Sequence, residues 1–472
     1  MTSLDKIAPL SIAPPASGHH LSLELAETLK LAVPLALTQL GQIAMMTTDV
    51  AFIGRLGSEA VAAASLAHTV FFVSFTFGMG LVSAVAPLAA QAFGARDPRM
   101  VRRALRVGLW AALLIALPMM ALPFRGEQIL LALGQAPKTS ELAQQYLFGL
   151  VWGVLPALWF IAIRGFMSAV NRPEPILWIT LAAIPANALL VYLLLYGAWG
   201  LPRLGLFGAG LATSIVNLGT FLAGLWFTYR RRPFRKYHVL GRIWRVDWHL
   251  MRRLVIVGAP ISISFLLEFG MFGAAGLLMG LIGTTALAAH QIALQIAAIL
   301  FMVPFGIAMA ATVRVGHAVG RGDAAAVKRA GFVATGLGIV FMSTMTLAVI
   351  LGRSEIAEIF LGETTDATAD LTATLLLIGS TFFVADGIQT VAVGSLRGMN
   401  DTRVPLLFAT ISYWLIGFTL AAWLAFRTPL GAPGVWIGLS CGTAVYAALL
   451  ILRFRLLASR LASPDGPIAA MG

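Results

Sequence analysis

The sequence predicts an all-α integral membrane protein of twelve transmembrane helices, arranged in two six-helix lobes related by a pseudo-two-fold axis along the membrane normal. Three observations predict this fold: the composition, the number of apolar stretches and an internal repeat. The 472 residues are 59% hydrophobic and 11% charged, with a mean hydropathy of +0.88, whereas a soluble domain has about 25% charged residues. Lipid must therefore be the solvent for most of the chain.

Twelve apolar stretches follow one another along the chain, and a helix needs roughly 20 such residues to cross a bilayer. The longer stretches must tilt or extend beyond the hydrocarbon. The predicted spans are residues 28–53, 60–90, 107–123, 142–163, 176–197, 206–229, 254–280, 286–313, 331–351, 371–396, 405–426 and 434–452.

These spans divide the chain into five segments. Residues 1–25 show no compact apolar core of a cleavable signal peptide. The segments are a cytoplasmic N-terminal tail (1–27), an N-lobe of helices 1–6 (28–229), a basic cytoplasmic inter-lobe loop (230–253), a C-lobe of helices 7–12 (254–452) and a cytoplasmic C-terminal tail (453–472).

Basic residues lie mainly on one side of the predicted membrane. With a cytoplasmic N-terminus, 27 of the 33 Lys and Arg residues fall on the cytoplasmic side and six fall outside. Cytoplasmic loops carry an excess of Lys and Arg. We therefore expect a multi-pass protein of the bacterial inner membrane with both termini in the cytoplasm. In this count, Arg164 and Arg397 are assigned to cytoplasmic loops.

The inter-lobe loop combines basic residues with Trp244 and Trp248. Such a pattern, with a net charge of +13, also occurs in proteins that bind nucleic acid. In a membrane protein the simpler interpretation is an interfacial linker helix that contacts anionic lipid. We therefore expect membrane lipid as a partner, and no nucleic acid.

An internal repeat relates the two predicted lobes. Residues 34–97 align without a gap with residues 260–323, giving fifteen identities in 64 positions. The identities at Gly and Pro are informative because these residues mark backbone geometry. Six spans separate the copies, so both halves have the same orientation, as in transporters that move one bundle against the other. The informative pairs are Pro34/Pro260, Gly54/Gly280, Gly57/Gly283, Gly80/Gly306, Gly94/Gly320 and Asp97/Asp323.

Three acids lie within predicted spans. Glu268 follows Arg253 by fifteen residues and Asp386 precedes Arg397 by eleven, which places them about 22 Å and about 16 Å from those boundaries at about 1.5 Å per residue. Asp49 lies in the outer half of span one. An acid at a helix centre costs roughly 2.5–3.5 kcal/mol and is a functional candidate by default. Without a basic neighbour one turn away, each must be protonated, bind a cation or meet water.

Neutral polar residues within the spans have two interpretations. They either line a transport cavity or form interhelical hydrogen bonds, which are common in membrane helices. These residues are Gln42, Asn187, Thr213, Gln291, Gln295, Gln389 and Tyr413.

Several function classes are disfavoured by missing motifs. The single cysteine, Cys441, excludes a disulfide framework within the chain and a cysteine-based metal site. The sequence has no Walker A loop for ATP and no HExxH or GxSxG motif for hydrolysis. We therefore expect a transporter and not an enzyme.

Six short motifs, in order along nearly the whole chain, identify a family. They are TDVAFIGRLG (48–57), QAFGA (91–95), AHQIAL (289–294), RVG (314–316), GSLRG (394–398) and SYW (412–414). As a set they resemble the multidrug and toxic compound extrusion (MATE) family. The pairing of Glu268 with Asp386 resembles its NorM-like bacterial branch.

The resemblance implies two six-helix lobes in a V and cation-coupled export of drugs. By matching position, it implies that Glu268 and Asp386 are the cation-coupling acids of the C-lobe, and that they bind the metal ion if Na⁺ is the coupling ion. In the N-lobe it implies Asp49, with Asn187 and Thr213 near it.

Two positions depart from the pattern of the family. Members with a complete sodium site in the N-lobe have a second acid one turn after the asparagine of span five, where this chain has Val191. Some NorM-like members have a tyrosine one turn before the acid of span ten, where this chain has Phe382. Both departures leave Na⁺ and H⁺ open as coupling ions.

The leading functional hypothesis is a monomeric secondary multidrug antiporter. It exports organic cations and other drugs in exchange for inward Na⁺ or H⁺ by alternating access of the lobes, and it needs no cofactor beyond that ion. One alternative is a lipid-linked precursor flippase of related architecture, which the acids in the spans disfavour because a pyrophosphate needs basic residues. A membrane-embedded enzyme is the other alternative.

Overall fold

A computed structural model describes residues 17–362 and 367–463, and within them twelve helices are long and apolar enough to cross a membrane. The predicted all-α fold of twelve spans is confirmed. We name them α1 (Ser17–Gly54), α2 (Ser58–Gly94), α3 (Pro98–Phe124), α4 (Pro137–Ala169), α5 (Glu174–Tyr196), α6 (Leu206–Arg230), α7 (Trp248–Ile282), α8 (Thr284–Arg321), α9 (Ala324–Leu351), α10 (Ala367–Gly398), α11 (Arg403–Arg427) and α12 (Ala432–Leu461).

Three spans are interrupted, and three short helices lie between consecutive spans. One of the interruptions is π-helical, and π-helical stretches frequently occur at functional sites. The interruptions are a break of α2 between Ser58–Ser83 and Val85–Gly94, a 3₁₀ turn in α4 at Val151–Gly153 and a π-helical stretch in α11 at Thr410–Phe418. The short helices are Gly126–Ala132, Arg353–Leu361 and the 3₁₀ helix Phe234–Tyr237.

The first and last spans are longer than predicted. Helix α1 begins at Ser17, so residues 17–27 are helical and do not form part of an irregular tail. Helix α12 continues to Leu461, nine residues past the predicted end. Ion pairs hold both polar extensions: Glu24 of α1 pairs with Arg314 of α8 at 2.9 Å, and Arg453 of α12 pairs with Asp401 at 2.8 Å. Hydropathy alone does not show such pairs.

The two lobes contact each other through a duplicated surface. Helix α1 packs against α8, and α7 packs against α2. A Cβ added at Gly306 would collide with the backbone of Ala36, and one added at Gly80 would collide with the backbone of Ser262. Ala36 and Ser262 are equivalent in the repeat, as are the two glycines. The same contact therefore occurs twice, as a pseudo-two-fold axis requires.

The duplication continues toward the ends of α2 and α8. Nε2 of His317 donates to the carbonyl of Ala169 at 2.6 Å, and Nε2 of Gln91 donates to the carbonyl of Gly398 at 2.8 Å. The lobes are therefore closed together at the end predicted to face the cytoplasm.

The two aspartates that match between the halves of the repeat, Asp97 and Asp323, have a structural role. The side chain of Asp97 accepts a hydrogen bond from the Met100 amide at 3.1 Å, and Asp323 accepts one from the Ala326 amide at 2.9 Å. Each is therefore the N-cap of the following helix, α3 or α9, and satisfies one of its free amide groups. The identity of these two positions reflects the duplication of a helix start.

The prediction of a linker helix between the lobes is wrong for most of the loop between α6 and α7. Only the 3₁₀ helix Phe234–Tyr237 lies between α6 and the start of α7. Instead, the loop is tied to α3, since the indole of Trp110 donates to the Ile243 carbonyl at 2.6 Å and Nε of Arg103 donates to Asp247 at 2.9 Å. The side chains of Trp244 and Trp248 are exposed, and their contact with lipid remains a prediction.

Asp247 joins this loop to the first turn of α7. It accepts a hydrogen bond from the Leu250 amide at 3.1 Å and caps the helix. Burial on its own would raise the pKa of Asp247. The hydrogen bonds from Arg103 and Leu250 and the charge of Arg103 outweigh burial and lower the pKa below its ordinary value of 3.8.

Candidate functional site

A cluster of four polar side chains lies inside the C-lobe. Nε2 of Gln389 donates to Asp386 at 2.9 Å and to Glu268 at 3.3 Å, so a single amide joins the two carboxylates. The hydroxyl of Tyr413 donates to Glu268 at 3.4 Å. Three helices, α7, α10 and α11, therefore bring together residues that the sequence separates by up to 145 positions.

Local helix geometry positions these side chains. Asp386 and Gln389 are three residues apart on α10 and therefore lie on the same face of that helix. Tyr413 belongs to the π-helical stretch of α11, where the backbone departs from the regular helix, and its side chain is 2% exposed. The indole of Trp414 donates to the Leu267 carbonyl at 3.2 Å. This bond anchors the π-helical stretch against α7 next to Glu268.

The C-lobe cluster has two acids and no ion pair. Asp386 is 5% exposed and Glu268 is partly buried. In the part of the chain that the structure describes, neither carboxylate forms a salt bridge. Two carboxylates that share one amide in a medium of low dielectric constant cannot both be ionised cheaply. Binding of one proton or one other cation would therefore stabilise the cluster.

The N-lobe cluster is built from a single acid. Nδ2 of Asn187 on α5 donates to Asp49 of α1 at 2.6 Å, and the hydroxyl of Thr213 on α6 donates to the other oxygen of Asp49 at 3.3 Å. Asp49 is 6% exposed and Asn187 is 2% exposed. The position one turn after Asn187 is the fully buried Val191, so no second acid is present there.

The structure brings together seven of the predicted site residues and leaves three apart. Gln42, Gln291 and Gln295 have exposed side chains, and no hydrogen bond joins them to either cluster within residues 17–362 and 367–463. Their predicted place in the lining of a transport cavity remains a prediction.

The donor set of the C-lobe cluster allows a monovalent ion. Hard cations prefer oxygen ligands, which the two carboxylates and the hydroxyl of Tyr413 can supply, together with the amide oxygen of Gln389 once that amide turns over. No group of three or more His, Cys, Asp or Glu residues capable of holding a metal ion occurs among the described residues.

Two arginines that the sequence places in cytoplasmic loops belong to helices instead. Arg164 lies in α4 and Arg397 in α10, and their side chains line a cavity inside the protein. Their position on the cytoplasmic side remains a prediction. Nη1 of Arg164 donates to Oε1 of the buried Gln39 at 3.1 Å, and the guanidinium of Arg397 lies 4.9 Å from the ring centre of Phe265. Both are close enough to helix ends to be counted as loop residues, and only the fold shows where their side chains point.

Known proteins similar to this chain fall into one family. The MatE family model matches residues 34–193 and again residues 260–423. The chain is 65% identical over 466 residues to a probable multidrug resistance protein NorM of Bradyrhizobium diazoefficiens, covering 98% of this chain and 100% of that protein. It is 40% identical to the multidrug resistance protein NorM of Burkholderia vietnamiensis, covering 95% and 96% of the two chains.

Solved structures of the same family share the fold at lower identity. A eukaryotic MATE transporter, AtDTX14, is 20% identical and matches with a TM-score of 0.82 over 93% of this chain and 98% of its own. A multidrug resistance MATE family transporter in the outward-facing conformation is also 20% identical and matches with a TM-score of 0.85 over 95% and 99% of the two chains.

Proposed function

Because this chain belongs to the MatE family, whose members include the multidrug and toxic compound extrusion proteins, we propose that it is a secondary antiporter of the bacterial inner membrane. It exports organic cations and other drugs in exchange for inward H⁺ or Na⁺. The observation that carries the proposal is the amide of Gln389, which joins the unpaired carboxylates of Glu268 and Asp386 in the C-lobe.

Competition at these carboxylates couples the two fluxes. A negatively charged cluster in a poorly hydrated cleft holds either an inward-moving cation or a cationic substrate, and binding of one disfavours the other. Each net elementary charge that crosses 100 mV contributes about 2.3 kcal/mol. Exchange of one coupling ion for a neutral drug therefore draws on the membrane potential as well as on the ion gradient, whereas one-for-one exchange for a monovalent organic cation is electroneutral and draws on the ion gradient alone.

The orientation of the amides favours H⁺ over Na⁺. Gln389 and Asn187 both direct an N–H group at the carboxylates of their clusters. An amide must turn over to offer its oxygen to Na⁺, whereas a proton binds a carboxylate oxygen without this change. The valine at position 191, in place of a second acid, also leaves the N-lobe cluster with fewer oxygen ligands.

The arrangement of the lobes supports a mechanism of alternating access. The support comes from the duplicated contacts that close one end of the molecule, including those of Gly80 with Ser262 and Gly306 with Ala36. In transport, cation binding at the clusters and release of drug would alternate with separation of these contacts.

The test is dye export. Expression in a host that lacks its own drug pumps should lower ethidium accumulation, and everted vesicles should transport the dye when a proton gradient is imposed. A sodium gradient at fixed pH should drive little transport. Transport driven by sodium alone would reverse the choice of ion, and absence of export under either gradient would contradict the antiporter.

A lipid-linked precursor flippase is the second candidate. Arg164 and Arg397 favour it because they are interior basic residues of the kind that a pyrophosphate needs. Against it, the cavity between these arginines has a volume of about 60 Å³, too small for a lipid-linked head group. Rescue of a host depleted of its precursor flippase, without ethidium export, would select this alternative.

The proposed orientation is tested by a reporter. Because α12 continues to Leu461, alkaline phosphatase should be fused after this residue. We expect no phosphatase activity, since the enzyme works only outside the cytoplasm, and a green fluorescent protein fused at the same site should be fluorescent. Strong phosphatase activity would overturn both the orientation and the cytoplasmic placement of the C-terminal tail.

A further inference from the structure

A small cavity lies between the lobes at their closed end. Its volume is about 60 Å³, and its walls come from α2 and α4 of the N-lobe and from α7, α8 and α10 of the C-lobe. One water molecule needs about 10–15 Å³ of such a cavity, so there is room for roughly four to six water molecules. It is too small for a drug and large enough for a small ion.

Two arginines from opposite lobes line this cavity. Arg164 is 7% exposed, and its only hydrogen bond is to the neutral amide of Gln39 at 3.1 Å. Arg397 donates no hydrogen bond to any described residue and contacts the face of Phe265. Neither guanidinium forms a salt bridge with a carboxylate among residues 17–362 and 367–463.

Such a pair of charges needs compensation. A charge removed from water is costly unless it is paired and hydrogen-bonded, and here two like charges line one cavity. The carboxylate of Glu268 accepts hydrogen bonds from Gln389 and Tyr413, and among the described residues it forms no salt bridge with Arg397. The free N–H groups of the guanidiniums are therefore available to a ligand of negative charge.

The remaining walls restrict the chemistry of that ligand. The hydroxyls of Ser168 and Thr312 donate to backbone carbonyls, at 2.8 Å and 2.7 Å, and the other walls include Met79, Ile161 and Phe305. A phosphate, which is strongly hydrated, would lose much of its water against these apolar walls. A small, weakly hydrated, monovalent ion requires only the two guanidiniums.

We infer that the cavity between Arg164 and Arg397 is a binding site for a small monovalent anion such as chloride. The anion neutralises the two guanidiniums and contacts both lobes. It therefore binds the closed arrangement of this end better than the separated one, and by linkage it stabilises that arrangement. This inference does not depend on which molecule is exported, because it concerns binding alone.

The experiment compares anions at constant sodium and ionic strength. The full-length protein in lipid nanodiscs is transferred from gluconate, which is too large for the cavity, to chloride, and thermal unfolding is followed by tryptophan fluorescence. We expect a saturable rise of the unfolding temperature with chloride. The rise should be lost in Arg164→Gln and Arg397→Gln but kept in Arg106→Gln, a buried arginine that hydrogen-bonds to the Arg242 carbonyl outside the cavity.

A second measurement does not depend on the folding of any variant. Crystals of the unchanged protein grown in bromide should give an anomalous difference peak between the two guanidiniums. The site would be disproved by the absence of this peak, by an unfolding temperature that does not respond to chloride, or by a chloride effect that is equal in all variants and is therefore a general salt effect.

Discussion

The two lobes share a fold and a repeat, but they hold their buried acids in different ways. In the N-lobe, one carboxylate, Asp49, receives hydrogen bonds from two neutral donors, at 2.6 Å and 3.3 Å. In the C-lobe, Glu268 and Asp386 share the single amide of Gln389. One lobe therefore has donors enough for its charge, whereas the other has more negative charge than its donors can satisfy.

This difference teaches which cluster responds to a cation. A single carboxylate with two donors is ionised at a lower cost than a pair, because the hydrogen bonds replace some of those that water would make. A pair of carboxylates on one amide is stable only when a proton or another cation compensates for the second charge. We therefore expect ion coupling to depend mainly on the C-lobe, and Asp49 to influence the movement of the N-lobe.

The largest effect should come from the acid pair. Asp386→Asn should lower the initial rate of dye efflux by at least about tenfold. The double variant, Asp386→Asn with Glu268→Gln, should have an efflux rate only slightly lower than this, since the effects of residues that act as a unit are non-additive. Efflux rates normalised to protein in the membrane, over a series of pH values, provide the measurement.

The matched control for the acid pair is Asp370→Asn, which removes an exposed acid from the first turn of the same helix and should leave the efflux rate unchanged. If Glu268 and Asp386 instead belong to two independent sites, the defects of the single variants will multiply in the double variant. That result would end the contrast between a paired and a single acid.

A smaller effect is expected in the N-lobe. Asp49→Asn removes the charge but keeps the size of the side chain, so efflux should fall roughly threefold to tenfold, the range of one or two ordinary hydrogen bonds. The amount of protein in the membrane should stay near that of the unchanged chain. Glu59→Gln, at an exposed acid of α2, is the control, and a wild-type rate in Asp49→Asn would reduce Asp49 to a surface residue.

Removing one hydroxyl from each cluster sharpens the comparison. Tyr413→Phe and Thr213→Val each remove a long hydrogen bond to an acid, of 3.4 Å or 3.3 Å. Such bonds in membrane proteins average about 0.6 kcal/mol, or roughly threefold in rate. Because the C-lobe has too few donors, we expect Tyr413→Phe to have the larger effect.

The control for the tyrosine is Tyr446→Phe. Tyr446 packs edge-on against Tyr413 with ring centres 4.9 Å apart, but its hydroxyl donates to neither acid among the described hydrogen bonds. Its loss should change the efflux rate little. An equal loss in both tyrosine variants would mean that packing of the rings, and not the hydrogen bond to Glu268, sets the rate.

The smallest effect concerns an acid that has the basic partner the others lack. Asp247 lies just before α7 and pairs with Arg103 of α3. The pKa of Asp247 is lowered, so the pair stabilises the fold above about pH 4. This contribution is lost as the pH falls below 3.8. Asp247→Asn should lower the unfolding temperature at pH 7 by roughly 1–2 °C, the effect of an exposed salt bridge.

The pH series identifies the cause of that effect. The difference between Asp247→Asn and the unchanged protein should shrink progressively as the pH falls below 3.8, whereas a difference that stays constant over that range would mean that the cap of α7 and not the ion pair was lost. Asp323→Asn changes an equivalent cap that forms no salt bridge among the described residues, and it measures the effect of changing a cap alone.

The fold and the three acids within the spans could be predicted from the sequence because each depends on a strong local signal, whereas the grouping of the acids into clusters came from the resemblance to the MATE family. Apolar length identifies spans, and an acid within a span is rare enough to be noticed. The interruption of α11, the extension of α1 through Glu24 and Arg314, and the inward direction of Arg164 all depend on contacts between distant residues. No local pattern carries that information, so the arginines were assigned to loops.

The duplicated contact between the lobes has a further meaning. Each six-helix half carries both partner surfaces, since Gly80 and Gly306 occupy equivalent places and so do Ala36 and Ser262. This is the geometry of an isologous homodimer, in which the same patch serves both subunits. At this contact, each six-helix half therefore carries both of the surfaces that two identical subunits would need to pack together, and the linker keeps the two halves side by side in equal number.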